Sequence, residues 1–185
     1  MSKVKFEAYL ESQGALLKNQ EEIIDWENKK VEWINQVKVL FGHIKGYFVR
    51  YENSVSIEEK TLSINEEYIG HYTIPQLVVK FNNDTVTFTP IGRNIIGAQG
   101  RVDMEGKAGR VKFVLVREID NSPQVVVSVI GEEKQKNHDE GQKILSKDYS
   151  QDKYTWKIST PPPKINYIDL NESSFFEALI EVING

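Results

Sequence analysis

Positions 9, 12, 16, 19, 23, 26, 30, 33, 37, 40, 44 and 47 are spaced alternately by three and four. Nine of these twelve positions are apolar: Tyr9, Leu16, Ile23, Trp26, Trp33, Val37, Leu40, Ile44 and Tyr47. That period is the seam of a helix that packs along its length. No proline precedes Pro75, and the pattern stops at Tyr51-Glu52-Asn53-Ser54, so residues 1–53 predict one long helix. Gly14 is its weak point. Glycine costs a helix about 1 kcal/mol relative to alanine, and a break there would fold the segment into a hairpin.

A second stripe, Leu10, Leu17, Ile24, Val31, Ile34, Phe41 and Phe48, makes the apolar face wider than a dimer seam. Tryptophan is bulky for a coiled-coil core, so Trp26 and Trp33 are expected on the chain's own sheet. Leu10, Leu17, Ile24 and Val31 are then expected against another chain, in a homodimer or with a different protein partner. Gly42 and Gly46 have polar flanks. They read as close approach to a neighbour or a fraying end rather than as a membrane motif.

After residue 54 the period falls to two. Val55–Ile64 predicts one or two short strands, and Tyr68–Ile74 another that stops at Pro75. Leu77–Phe81 and Thr85–Thr89 predict a hairpin around Asn82-Asn83-Asp84. Arg101–Glu105 and Arg110–Glu118 predict a second, and Arg110–Glu118 with Gln124–Ile130 a third. Val114-Leu115-Val116 and Val125-Val126-Val127 are apolar on both faces and mark central strands. Residues 132–153, with six acids and five lysines and no period, predict a surface excursion. Lys153–Ser159 returns to strand, Pro161-Pro162-Pro163 predicts an extended connector, and Ile165–Leu170 an edge strand. Asn171, or Ser174 with Glu177, caps a closing helix that is apolar over most of its surface. The expected fold is α+β. A long N-terminal helix (1–53) precedes an antiparallel β-rich domain (54–185), a meander of about six to eight strands closed by a short C-terminal helix.

Composition bounds the function. With 39% hydrophobic and 27% charged residues this is an ordinary globular chain. It has no apolar run near membrane-spanning length and no apolar signal segment at residues 1–7. The absence of cysteine rules out disulfides and thiolate metal sites, and suggests a reducing, cytoplasmic setting. A net charge of −4 gives no general pull toward nucleic acid or lipid.

The unusual stretch is Pro90–Arg117. It holds five glycines and six cations against two acids. Glycine lets a backbone approach an anion and arginine grips phosphate, so Arg93, Arg101, Lys107 and Arg110 form a candidate nucleotide or nucleic-acid site. The Walker pattern fails there: Gly100 to Gly106-Lys107 is one residue too long, and Ala108 replaces the hydroxyl. Asp120, Glu132 and Lys134 have spacing compatible with a Mg²⁺-dependent nuclease. A similar triplet recurs at Glu58-Glu59-Lys60, so the pattern is cheap here. His43, His71 and His138 lack metal-ligand spacing, and no nucleophile elbow occurs. Trp26, Trp33, Tyr47, Phe48 and Trp156 read as core before pocket. No cofactor or metal is expected. The leading expectation is a non-enzymatic interaction or self-association protein. Polyanion binding stands second and Mg²⁺-dependent catalysis third.

Overall fold

Seven strands lie side by side in chain order, each antiparallel to the next, in one open sheet. The computed structural model describes residues 2–93, 95, 97–118 and 153–184, leaving aside the side chains of 2–5, 7, 8 and 10–24. Helix α1 (Ser2–Phe48) and a short 3₁₀ turn (Val49–Tyr51) lead into β1 (Val55–Glu66), β2 (Gly70–Phe81) and β3 (Asp84–Gly92). β4 (Arg101–Glu105), β5 (Arg110–Arg117), β6 (Tyr154–Ser159), β7 (Tyr167–Asp169) and α2 (Glu172–Asn184) follow. The architecture is α+β, and both helices contribute to the same core on one face of the sheet.

α1 runs through Gly14 without a break, about 70 Å at 1.5 Å per residue. Trp33, Val37, Leu40, Phe41, Ile44 and Phe48 are buried against the sheet. The expected division between the two stripes therefore does not hold over this part of the helix. Phe41 and Phe48 come from the second stripe, yet they share the core with the first. A helix lying on a twisted sheet buries a broad face rather than one seam. Gly42 and Gly46 are exposed, and a methyl group at either would touch nothing within 4 Å.

α2 is capped by Asn171. Its Oδ1 accepts from Ser174 N at 3.1 Å, and Ser174 Oγ accepts from Asn171 N at 3.0 Å. This is a reciprocal cap on two otherwise orphan donors. Glu177 takes no part in it. Phe175, Ala178, Leu179, Val182 and Ile183 form the buried face.

The β1–β2 ribbon departs from simple alternation. Near its base Leu77 and Val79 are buried; toward its tip Tyr72 and Ile74 are, with Leu62 and Ile64 half-buried opposite them. Inward parity thus changes along the ribbon, although pairing is continuous from Val55↔Phe81 to Glu66↔Gly70. The change falls where β2 leaves β3, whose ladder ends at Leu77↔Phe88. A two-stranded ribbon twists more than a sheet, so its other surface turns to the helix. Pro75 does not stop the strand as expected, because β2 has only one neighbour there and proline is tolerated on such an edge.

Two further expectations are corrected. β5 is flanked by β4 and β6, so the third hairpin's ladder is taken by Tyr154–Ser159; Gln124–Ile130 lies outside the described residues. Pro161-Pro162-Pro163 belongs to the β6–β7 turn and is not an extended connector. Thr160 N donates to Asn166 O at 3.0 Å and Asn166 N to Thr160 Oγ1 at 2.8 Å, with a cis bond between Pro162 and Pro163. Residues 132–152 are likewise outside the description.

Candidate functional site

A polar constellation lies where α1, the tip half of the β1–β2 ribbon and the loop after β3 meet. Glu66 is its centre. One carboxylate oxygen accepts a short hydrogen bond from Tyr72 Oη, and the other accepts from Arg93 N at 2.8 Å. Gly92 makes this seat possible, since a Cβ there would fall 2.8 Å from Glu66 Oε2. Arg93 then reaches Glu32 on α1 at 3.3 Å. Beneath lies Trp33, fully buried, tilted on Trp156 at 6.0 Å, and its Nε1 has no hydrogen-bond partner among the described residues. Trp156 Nε1 donates to Gln36 O at 3.1 Å, which ties β6 to the helix.

Burial raises the Tyr72 pKa well above its ordinary value. The hydrogen bond to Glu66 and that carboxylate's charge add to the shift, and the nearby Trp33 N–H opposes it. Tyr47 is shifted the same way by burial and by Glu172. The folded chain holds the Tyr72 proton more firmly than the unfolded chain, whose phenol titrates near 10. That contribution to stability is complete below pH 10 and is lost as pH climbs from 10 toward the folded value. Unfolding midpoints are therefore expected to fall between pH 9 and pH 11. Tyr72→Phe should cost about 2 kcal/mol at pH 7 and flatten that alkaline decline. An unchanged alkaline slope in the variant would show that Tyr72 is not its source.

The arrangement braces the ribbon against the helix. The space among Glu32, Trp33, Arg93, Gln99 and Tyr154 admits no water-sized sphere, so no small molecule enters it as it stands.

Each of the four candidate cations, among the six of the glycine-rich stretch, meets an acid. Arg93 pairs with Glu32, and Lys107 with Asp84 at 2.8 Å. Arg101 grips Asp103 through two bonds of 2.6 Å, which raises its pKa further. Arg110 lies 3.5 Å from Asp103 and 3.1 Å from Glu105. Asp103 is only 2% exposed, and the two guanidiniums balance its charge. The structure does not gather the four into one site. Arg101 and Arg110 flank Asp103 on the sheet face away from the helices, Lys107 sits at the β4–β5 turn, and Arg93 faces α1. Two of the glycines make room for packing and a third serves its turn. A Cβ at Gly100 would enter the Trp33 ring, one at Gly106 would collide with the Val182 carbonyl, and Gly97 has φ +83°.

Val31 is 54% exposed; the side chains of Leu10, Leu17 and Ile24 are outside the description. Asp120, Glu132 and Lys134 also lie outside the described residues. Among the described residues no group of three or more His, Asp or Glu could hold a metal, and no helix is long and apolar enough to cross a membrane. Sequence reasoning missed the Glu66 centre. Its only sequence signals were a glycine two residues after Pro90 and an acid at a ribbon tip, both commonplace.

The fold defines this protein as a helix-braced, open antiparallel sheet of the α+β class. No family model, no curated protein and no solved structure matches the chain significantly.

Proposed function

We propose that this chain is a non-enzymatic interaction protein that self-associates through the N-terminal half of α1. The reading rests on the length of α1, Ser2–Phe48, and on the apolar spacing that its sequence keeps ahead of the core residues Trp33 to Phe48. About 35 Å of helix precedes Trp26 at 1.5 Å per residue. Within it Leu10, Leu16, Leu17, Ile23 and Ile24 keep the apolar spacing, while Phe6 and Tyr9 are 59% and 57% exposed. An apolar 3.5-residue repeat gains its stability by pairing with another helix.

Light-scattering mass tests this. The full chain is expected at twice its 21.3 kDa. The triple variant Leu10→Lys, Leu17→Lys, Ile24→Lys is expected to return to a single mass with its strand signal unchanged in circular dichroism. A wild-type chain at its single mass at about 100 μM would overturn the proposal.

A further inference from the structure

The geometry points to β1 as a docking edge for an extended peptide of another protein, bound by strand addition in the crevice between β1 and α1. This surface is distinct from the helix association proposed above. Among the described residues β1 is the outermost strand, and over its twelve residues it pairs only with β2. Among the described residues no backbone bond reaches its outer edge. A strand lying flat on a helix alternates buried and exposed positions. Here Glu58, Glu59, Lys60 and Thr61 are all exposed in succession, so mid-strand β1 stands clear on both faces.

Two open grooves follow the same crevice. One of about 430 Å³ is lined by Lys45, Phe48, Val49, Glu52, Val55 and Ile57. The other, about 350 Å³, is bounded by Ile34 and Lys38 of α1, Glu59 and Lys60 of β1, and Thr73 and Ile74 of β2. The Lys45–Glu59 pair, 2.5 Å long, spans α1 and β1 between them.

The chemistry of the lining selects the occupant. Charges on an edge strand ordinarily ward off pairing. Glu58 and Glu59, however, are already held by Lys80 at 3.3 Å and by Lys45. Lys38 and Lys60 share the second groove and form no ion pair among the described residues. The first groove is mainly apolar, through Phe48, Val49, Val55 and Ile57. A strand antiparallel to β1 passes Lys60, then Ile57, then Val55. It therefore carries an acid three positions before the first of two alternate apolar residues. A second copy of β1 is disfavoured in the two registers centred on its mid-strand charges. A two-fold edge pair centred on Glu59 or on Lys60 sets that residue against its own copy, like charge against like.

The probe is a fluorescein-labelled peptide, Thr-Asp-Thr-Thr-Val-Thr-Val-Thr, titrated with the full chain by fluorescence anisotropy. Saturable binding below about 1 mM is expected. The pair Lys38→Glu, Lys60→Glu should weaken it about tenfold, and a probe with lysine for the aspartate should recover it. The peptide is also made with its backbone nitrogens N-methylated in either alternate set. One set faces the β1 edge and should abolish binding; the other should leave it intact. No saturation at 1 mM, survival of binding with both sets, or indifference to the charge reversal would each overturn the proposal. The helix variant Leu10→Lys, Leu17→Lys, Ile24→Lys should bind the probe as wild type does, so failure of helix association and failure of this site read separately.

Discussion

Replacing Phe175 with alanine is expected to lower stability by about 3–5 kcal/mol, a large share of the roughly 5–15 kcal/mol that holds a domain folded. The side chain is fully buried in the first turn of α2. Its ring lies 5.1 Å from Tyr47 and 5.6 Å from Phe48 at the end of α1, 6.2 Å from Phe88 in the sheet, and 5.3 Å from Phe176. One ring therefore joins both helices to the strands. Denaturant unfolding should show a lower midpoint with an unchanged slope. Phe176→Ala, at a half-buried position, should cost distinctly less. Equal losses at the two positions would mean that α2 does not seat as described.

Gly100→Ala is expected to cost about 1–3 kcal/mol although it adds one methyl group. The new Cβ would come within 3.0 Å of three atoms of the Trp33 ring. That ring cannot swing outward, because it is fully buried and packed on Trp156. Removing the ring should remove the cost. In a Trp33→Leu background, itself destabilised by loss of the ring, the same Gly100→Ala change should cost little. The resulting coupling of about 1–3 kcal/mol would be read from a double-mutant cycle. Additive losses would show that Gly100 is needed for its backbone conformation and not to make room for the ring.

Much of the fold was legible because it is written in local periods and turn chemistry. The three-and-four spacing through Trp33, Val37, Leu40 and Ile44 marked the buried face of α1. Asn82-Asn83 marked the β2–β3 turn, where Asn82 takes φ +51°. Asn171 marked the start of α2. The misreadings share one cause. Pro75 reads as a stop only if β2 has a neighbour on both sides there, and Pro161-Pro162-Pro163 reads as a connector only if Thr160 and Asn166 do not meet. Phe41 and Phe48 read as a second surface only if the helix lies on something narrow.

The glycine–arginine stretch shows the same limit at the candidate site. Within Pro90–Arg117 it carries six cations against two acids, and such a surplus suggests an anion. Folding brings Glu32 to Arg93 from 61 residues away, and Asp84 to Lys107 across two turns. Gly92 seats Glu66, Gly100 clears Trp33, and Gly106 meets the α2 carbonyl of Val182. None of these partners is a sequence neighbour, so a charge count over a window could not include them.

Local backbone preference and side-chain period marked most of the described elements and their order, since both act over a few residues. Which charges are neutralised, which glycines are contacts, and which strand edge has no neighbour among the described residues follow from the tertiary structure alone. Those outcomes depend on distances between segments far apart in the chain, and ion pairing, ring packing and strand pairing all act through such distances.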